Sequence, residues 1–376
     1  VHKAHTEPVT NPNLKNENTK YSSNGRTFNA NSDVTVYDNS SGRLVPFATI
    51  NKGTKATIVS DYGNWWRIII ADRVGYIYKD SVTADFLNSD EYFKVINDGV
   101  TIYDNRSGEL NPIGTLTKNQ VYPRVSDYGN WHRIQFGNYY GYVHKDHTEP
   151  ISNVNISNEN KKYSINGRPF IALNNATVYD NTSGSLMPFA TIDQDTTATI
   201  TSDYGNWWRV IIANRVGYVN KEHVQQQFTA SDRYFRVISD APIYDNRSGK
   251  LLEVGTLLSG QTFERVSDYG NWHRIQFGDI YGYVRKTHTV PVNARGYSNQ
   301  NNTKYGIGYL TPSNDVQVYD NTGNKLVPFG TLKKGIKYEV IRDYGNWYEV
   351  NLSGRYGYVR KSDVDVNVME PKTIVN

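Results

Sequence analysis

A five-residue sequence, Asp-Tyr-Gly-Asn-Trp, occurs five times in this chain, and each copy runs into a strand-like segment. The residue after the Trp varies among Trp, His and Tyr, whereas the Trp itself is fixed at Trp65, Trp131, Trp207, Trp272 and Trp347. A flat indole can stack on the CH face of a sugar ring, and neighbouring Asp and Asn side chains can hydrogen-bond hydroxyl and amide groups. These residue types therefore indicate non-covalent recognition of a glycan or glycopeptide.

Side-chain alternation along a strand assigns the two aromatic positions to opposite faces. In the first copy, Trp65 shares a face with Arg67, and Trp66 shares the other face with Ile68. The other copies place Arg, Gln, Glu or Asn on the face of the fixed Trp and apolar residues on the opposite face. We therefore expect the variable aromatic in the core and the fixed Trp on the solvated face. Two interpretations of the fixed Trp stay open: a ligand-binding groove, or a plug that closes one end of the core.

The same alternation places two tyrosines on the face of the fixed Trp. Tyr37 follows inward-pointing valines, and Tyr76 precedes the inward-pointing Ile77. The predicted aromatic groups are Tyr37, Trp65 and Tyr76; Tyr103, Trp131 and Tyr142; Tyr179, Trp207 and Tyr218; Tyr244, Trp272 and Tyr283; and Tyr319, Trp347 and Tyr358. The predicted ligand contacts on the adjacent turns are Asp38, Asp61, Tyr62 and Asn64.

The elements that position these residues form five repeated modules. The tyrosines of the Tyr-Asp-Asn motif are separated by 66, 76, 65 and 75 residues, so short and long steps alternate. The additional residues of the long steps are Asn-rich segments, which are typical of linkers. This spacing predicts pairs of modules that pack together, with looser joints at the Asn-rich linkers.

Each module contains short segments of alternating polarity separated by Asn, Asp and Gly turns, and no segment has a helical period. The pattern predicts an all-β chain, a tandem array of five small barrels that each close their own edges. The predicted boundaries are residues 1–20 for the end of a preceding module plus a linker, 21–87 for module 1, 88–150 for module 2, 151–228 for a linker and module 3, 229–292 for module 4, and 293–370 for a linker and module 5. Residues 1–10 match residues 143–152, which indicates a piece excised from a longer array.

Composition and motifs argue against several classes of function. There is no Cys, and 41 basic residues are balanced by 37 acidic ones, so neither disulfides nor a basic nucleic-acid track is expected. No stretch of about 20 apolar residues indicates a membrane span. There is no HExxH, P-loop or GxSxG motif, so we expect no enzyme activity, metal or cofactor.

The order of these motifs resembles bacterial SH3-like cell-wall-binding domains and is similar to the GW modules of Gram-positive surface proteins and autolysins. The resemblance depends mainly on the Asn-Trp-x-x-Ile/Val strand and on a closing Gly-Tyr-Val-x-Lys sequence, in which Gly-Tyr stands where a GW module has Gly-Trp. The closing sequences are Gly75–Lys79 (with Ile in place of Val), Gly141–Lys145, Gly217–Lys221, Gly282–Lys286 and Gly357–Lys361.

This resemblance implies an SH3-like fold and non-catalytic attachment to a bacterial cell wall. The implied partner is peptidoglycan or a wall-linked polymer, and the implied location is the wall or surface of a Gram-positive cell, in an autolysin, an adhesin or a surface-layer component. Two alternatives stay open: the modules form a structural stalk of a surface adhesin, or they adhere to host glycans.

Overall fold

A computed structural model describes residues 1–10, 14, 20–22, 25–151, 154, 156, 162–297 and 306–368. Most of the three Asn-rich linkers lies outside these residues. The described part of the chain is all-β, as predicted, and contains strands and one-turn 3-10 helices. Contacts divide the chain into two compact units, residues 1–224 with modules 1 to 3 and residues 225–376 with modules 4 and 5.

The strands of modules 1 to 3 follow the module order. Module 1 contains β1 Thr27–Ala30, β2 Val34–Asp38, β3 Val45–Ile50, β4 Lys55–Tyr62, β5 Trp65–Ile70, β6 Arg73–Tyr78 and β7 Val82–Ala84. Module 2 contains β8 Tyr92–Val95, β9 Val100–Asp104, β10 Asn111–Leu116, β11 Val121–Pro123, β12 Ser126–Tyr128, β13 Trp131–Phe136, β14 Tyr139–His144 and β15 Thr148–Pro150. Module 3 contains β16 Arg168–Ala172, β17 Ala176–Asp180, β18 Met187–Ile192, β19 Thr197–Tyr204, β20 Trp207–Ile212, β21 Arg215–Asn220 and β22 Val224–Gln226.

The second unit has the same plan. Module 4 contains β23 Tyr234–Val237, β24 Ala241–Asp245, β25 Leu252–Leu257, β26 Thr262–Glu264, β27 Ser267–Tyr269, β28 Trp272–Phe277, β29 Ile280–Arg285 and β30 Thr289–Val292. Module 5 contains β31 Gly308–Pro312, β32 Val316–Asp320, β33 Val327–Leu332, β34 Tyr338–Val340, β35 Arg342–Tyr344, β36 Trp347–Leu352, β37 Arg355–Arg360 and β38 Val364–Val368. The one-turn helices are Lys3–His5, Lys79–Ser81, Lys145–His147, Lys221–His223, Lys286–His288 and Lys361–Asp363.

The tight turn before each fixed Trp depends on its glycine. Gly63, between β4 and β5, has a φ of 62°. The equivalent glycines of the other modules have φ between 55° and 63°. Such positive φ values are unstrained for glycine and costly for residues with a Cβ. The glycine therefore sets the hairpin geometry that places the Trp at the start of its strand.

Modules 2 and 3 together form one closed barrel. Its eight strands run in the order β13-β14-β9-β10-β18-β17-β21-β20, with four strands from each module. Strand β10 pairs antiparallel with β18, and a bridge between Phe136 and Ile212 joins β13 to β20 and closes the ring. The hydroxyls of Thr115 and Thr191 lie 2.8 Å apart at the first junction. A single buried apolar cluster contains residues of both modules.

Modules 4 and 5 repeat this arrangement in the second unit. Their eight strands run β28-β29-β24-β25-β33-β32-β37-β36, and a bridge between Phe277 and Leu352 closes the ring. Thr256 and Thr331 face each other where β25 pairs with β33. One apolar cluster again spans both modules. The shared barrel is thus a repeated feature of the chain.

Module 1 has its own apolar core but forms an open sheet. Within the described residues, its seven strands run β3-β2-β6-β5-β4-β1-β7, so β3 and β7 are the edge strands there. The prediction that every module closes its own barrel is therefore not confirmed, because each observed ring takes four strands from each of two modules.

The modules that share a core differ from the predicted pairs. We predicted that the joints at the Asn-rich linkers are loose, but modules 2 and 3, and modules 4 and 5, share sheets across those linkers. The physical reason is that a polar linker composition predicts a solvated connection but does not predict whether the modules on either side of it pack together. A longer connection also lets the next module turn back and pair edge to edge with the previous one.

Among the described residues, no helix is long and apolar enough to cross a membrane.

Candidate functional site

Three strands place the predicted aromatic residues of module 1 on one outer face. Tyr37 on β2 is the cross-strand partner of Tyr76 on β6, and Trp65 lies at the start of β5. The rings of Tyr37 and Trp65 meet edge to face, with centroids 5.7 Å apart and planes at 83°. This distance and angle are favourable for an aromatic pair. We call Tyr37, Trp65 and Tyr76, with their equivalents, the aromatic face.

The aromatic face has the same geometry in all five modules. The centroid distance between the fixed Trp and the first Tyr is 5.6, 5.7, 5.6 and 6.0 Å in modules 2 to 5. The two tyrosines of each module are also cross-strand partners throughout: Tyr103 and Tyr142, Tyr179 and Tyr218, Tyr244 and Tyr283, and Tyr319 and Tyr358. The structure therefore brings together every aromatic group predicted from the sequence.

In modules 1, 2 and 4, the two aromatic positions differ in burial as alternation predicts, whereas in modules 3 and 5 both positions are half-buried. Trp66 is 3% exposed and belongs to the core of module 1, and His132 and His273 are fully buried at the same position. The equivalent residues of modules 3 and 5 are partly buried against their cores. Trp65 and the other fixed tryptophans are half-buried, so one part of each ring packs on the module and the rest reaches solvent.

Truncating each of the two neighbouring tryptophans tests this assignment. We expect Trp66→Ala to destabilise module 1 by about 3–5 kcal/mol, because it leaves a cavity in the core. Trp65→Ala removes a half-buried ring and one aromatic pair, which is worth about 0.5–1.5 kcal/mol beyond its buried area. Urea denaturation followed by the NMR resonances of module 1 compares the two. Equal losses of stability would mean that the fixed Trp is a structural plug.

An arginine outside the predicted site residues lies against Tyr76 of the aromatic face. Arg67 is the cross-strand partner of Tyr76, and its guanidinium lies 5.4 Å from the Tyr76 ring centroid and 4.9 Å from that of Tyr62. Arg133, Arg209 and Arg274 occupy this position in modules 2 to 4, and Glu349 occupies it in module 5. Alternation from the fixed Trp is the signal that identifies this residue.

These four arginines share an unsatisfied donor. The Nε of Arg67 and of its three equivalents is buried and has no hydrogen-bond partner among the described residues. Arg67 donates from Nη1 to the Ser60 hydroxyl at 3.1 Å rather than to a carboxylate. Cations stacked on tyrosine rings are stabilised by the ring quadrupole. The aromatic face of four modules therefore carries a positive group that can attract an anionic part of a ligand.

Asp38, one of the predicted ligand contacts, is paired within module 1. The residue is buried, its carboxylate accepts a hydrogen bond from Arg73 at 2.6 Å, and it also accepts one from the backbone N–H of Ser40 at 2.6 Å. Both oxygens thus have partners within module 1. The structure gives Asp38 a role in holding the turn after β2, because a buried carboxylate needs such partners to stay ionised.

Asp61 also has a partner inside its module. Its carboxylate lies 2.7 Å from Lys79 Nζ, and that ammonium lies 4.1 Å from the centroid of Trp66. The Asp of the Asp-Tyr-Gly-Asn-Trp motif and the Lys of the closing motif form the same ion pair in the other modules: Asp127 with Lys145 at 2.8 Å, Asp203 with Lys221 at 2.8 Å, Asp268 with Lys286 at 2.9 Å and Asp343 with Lys361 at 2.5 Å. The two motifs recur together because this pair joins the hairpin to the closing strand.

The other two predicted turn residues are exposed. Tyr62 is 50% exposed, and its ring lies 5.4 Å from that of Tyr76, so it extends the aromatic face. Asn64 is exposed and lines a polar cleft of about 360 Å³ with Tyr78 and Lys94. Both side chains are available to a ligand.

In modules 2 and 4, the second aromatic position holds a buried histidine. His273 donates from Nδ1 to the Asp268 carboxylate at 3.0 Å, and its Nε2 lies 2.9 Å from the Thr289 hydroxyl. Burial lowers the pKa of His273 to about 4, although Asp268 favours the charged ring. Burial tends to raise the pKa of Asp268, but hydrogen bonds from Arg265, Lys286 and His273 lower that pKa to about 2. The histidine is therefore a neutral core residue at pH 7.

A cleft adjoins the aromatic face of module 2. It has a volume of about 280 Å³, and Tyr103, Trp131 and His144 form part of its wall. His144 contacts the Trp131 ring edge to face at 4.7 Å, and the backbone of Gly99 lines the cleft as well. Ligand pockets in proteins have volumes of about 300 Å³ and more. The fixed Trp and the first Tyr thus border a concave space near the lower end of that range.

A further cleft, about 520 Å³, lies at the junction of modules 4 and 5 and is lined by Arg233, Glu264 and Gln276, with no aromatic side chain in its wall. Within the described residues, no group of three His, Asp or Glu side chains could hold a metal ion. The aromatic face with its adjoining cleft is therefore the best candidate site.

Comparison with known proteins reveals no family. No protein-family model and no curated protein matches the chain. Among solved structures, "NlpC1 from Trichomonas vaginalis" is similar with a TM-score of 0.15 and 11% identity, over 58% of this chain and 97% of that chain. "NlpC2 from Trichomonas vaginalis" has a TM-score of 0.14 and 11% identity, over 55% of this chain and 97% of that chain. At these TM-scores, the similarities carry no argument about fold or activity.

Proposed function

We propose that this chain attaches non-catalytically to the bacterial cell wall through the repeated aromatic faces of SH3-like modules. The observation that carries the proposal is the recurrence of one Trp–Tyr arrangement, with centroid distances of 5.6 to 6.0 Å, on the outer face of all five modules. A half-exposed aromatic ring beside a cleft is suited to stacking on a sugar ring, whose CH groups contact the ring face.

The arginine of the aromatic face favours a ligand that carries an anionic group. Its guanidinium lies over a tyrosine ring in four modules: Arg67 over Tyr76, Arg133 over Tyr140, Arg209 over Tyr218 and Arg274 over Tyr281. Carboxylates and phosphates are the groups that guanidinium binds best. Peptidoglycan stems carry carboxylates and wall-linked polymers carry phosphates, so both supply the anionic group, whereas a neutral glycan lacks it.

Repetition supports multivalent binding. Linkage of several weak sites in one chain raises avidity by about 10²–10⁴ when the sites engage together. A polymer such as peptidoglycan presents the same unit many times, so it can occupy several modules. In this proposal, the chain belongs to a secreted protein of a Gram-positive cell surface.

Replacing all five fixed tryptophans by Ala tests the proposal. We expect the variant to lose binding to purified cell walls in a sedimentation assay, because the stacking surface of every module is removed. A second assay on peptidoglycan stripped of wall polymers separates the two candidate ligands. Circular dichroism must show that the variant retains its β structure.

The chain offers a matched control with the same number of substitutions. One exposed leucine follows the Tyr-Asp-Asn turn in each module, and these residues are Leu44, Leu110, Leu186, Leu251 and Leu326. The five-fold Leu→Ala variant should bind walls as the parent chain does. Unchanged wall binding by the folded Trp variant would contradict the proposal. If the parent chain binds host glycans but not walls, the adhesion alternative is favoured. If the parent chain binds neither, a structural stalk is favoured.

A further inference from the structure

Module 1 presents the surface that modules 3 and 5 use to complete their barrels. The edge strand β3 has the sequence Val-Pro-Phe-Ala-Thr-Ile, against Met-Pro-Phe-Ala-Thr-Ile in β18 and Val-Pro-Phe-Gly-Thr-Leu in β33. In modules 3 and 5, this strand pairs with β10 or β25 of the preceding module. In module 1, strand β3 pairs only with β2 in the described part of the chain.

Residues that are buried where modules 2 and 3 join are more exposed at the equivalent positions of module 1. Phe189 and Ile212 of module 3 are fully buried, whereas Phe47 and Ile70 of module 1 are only half-buried. Ala213 of module 3 is also fully buried, and its equivalent Ala71 is exposed. We call Phe47, Ala48, Thr49, Ile70 and Ala71 the open edge.

The arginine beside the open edge is placed as its equivalent is at the paired edge of module 3. The Arg73 guanidinium lies 4.2 Å from the Phe47 centroid, against 4.4 Å for Arg215 over Phe189 in module 3. The ion pair of Arg73 with Asp38 measures 2.6 Å, as does that of Arg215 with Asp180. A preorganised edge binds without a large conformational cost.

We propose that the open edge is a docking surface for a module of the type of modules 2 and 4, which would close a third eight-stranded barrel with four strands from each module. The incoming strand would be Gly-Thr-Leu, as in 114–116 and 255–257, in antiparallel register with Ala48–Ile50. This proposal is independent of the ligand of the aromatic face.

A glycine selects this occupant. A Cβ at Gly114 would lie 2.2 Å from the Thr191 carbonyl oxygen, so only glycine allows the approach of β10 to β18. Gly255 meets the Thr331 carbonyl oxygen in the same way, at 2.7 Å. If two copies of module 1 paired through β3 in this register, Ala48 would stand in the place of that glycine. Self-association through the open edge is therefore disfavoured.

The segment before module 1 is consistent with this occupant. Residues 1–10 repeat the sequence of residues 143–152, the closing segment of module 2. The one-turn helix Lys3–His5 is capped by the His2 side chain, as Lys145–His147 is capped by His144. A segment that closes a module of the type of modules 2 and 4 thus precedes module 1, as it precedes module 3.

A fused chain tests the proposal. A copy of residues 85–142 placed before Val1 would complete a module of the type of module 2, with residues 1–10 as its closing segment. The amide of Asn51 reports docking, because its equivalent Asp193 donates from N to the Ile113 carbonyl at 3.0 Å. We expect hydrogen exchange of Asn51, measured by NMR, to slow by roughly tenfold or more relative to the unfused chain.

Two further fusions keep the test decisive. A fusion whose copied Gly114 is replaced by Val should leave Asn51 exchanging as in the unfused chain. A fusion with residues 226–283 of module 4 should protect Asn51 as the first one does, which covers the case in which one copied module fails to fold. Fast exchange of Asn51 in both Gly-containing fusions would overturn the proposal. Protection of Asn51 in the unfused chain that increases with protein concentration would also overturn it, in favour of a second copy.

Discussion

Phe189→Ala is expected to destabilise the barrel of modules 2 and 3 by about 3–5 kcal/mol, the range for large aromatic truncations in a core. The Phe189 side chain is fully buried in the apolar cluster that both modules share. Its backbone carbonyl accepts hydrogen bonds from the Thr117 amide and from the Tyr122 hydroxyl of the preceding module. Loss of the ring should therefore lower the stability of module 2 as well as that of module 3. NMR-monitored urea denaturation, with resonances assigned to each module, measures both.

Module 1 supplies the control for this prediction. Phe47 is the equivalent residue on the open edge and is only half-buried, so Phe47→Ala should destabilise module 1 much less. It should also leave the resonances of module 2 unchanged. If Phe189→Ala affects module 3 alone, the two modules fold independently and the shared barrel is not a cooperative unit.

Acidification from pH 7 to pH 4.5 is expected to destabilise module 4 more than module 1. His273 is buried with a pKa of about 4, below the 6.5 of the unfolded chain, so the unfolded state binds more protons between these values. The contribution of His273 to the free energy of unfolding is therefore complete above pH 6.5 and is lost as the pH falls towards 4. The full effect of this shift corresponds to about 3 kcal/mol. Burial lowers the pKa of His132 in module 2 as well.

The variant His132→Trp/His273→Trp provides the comparison, because Trp occupies this position in modules 1 and 3. Urea denaturation at both pH values should show a smaller pH dependence for modules 2 and 4 in the variant. Asp268, with a pKa of about 2, stabilises the fold above its unfolded pKa of 3.8, and this contribution is lost only as the pH falls towards 2. A titration of the His273 ring by NMR that gave a pKa near 6.5 would contradict the prediction.

Local periodicity predicted much of the candidate site. Alternation along single strands placed the fixed Trp and two tyrosines on one face and the variable aromatic in the core, and the structure has this arrangement. The role of Asp38 could not be predicted, because its partner Arg73 is 35 residues away. The same applies to Asp61 and Lys79, whose motifs recur together without showing that they touch.

The closure of the barrels depends on contacts between modules, and alternation along single strands does not show which strands of different modules pair. Two signals in the sequence nevertheless point to the interface. The edge strand with Phe189 and Ala190 is apolar on both faces, which is unusual for a strand exposed at an edge. Modules 1 and 3, with Trp-Trp, also alternate with modules 2 and 4, with Trp-His, and two alternating types indicate two complementary surfaces.

The barrel divided between two modules has a consequence for how such a gene can change length. The segment that is copied, about 141 residues from one module type to its next occurrence, contains one half of a barrel followed by the complementary half of another. Gain or loss of a whole copied segment keeps every half matched. Gain or loss of a single module leaves two halves of the same type side by side, and one of them then lacks its complementary half and keeps an unpaired strand with an exposed apolar edge. Selection against aggregation therefore acts on the parity of the array, so we expect natural variants to differ by even numbers of modules.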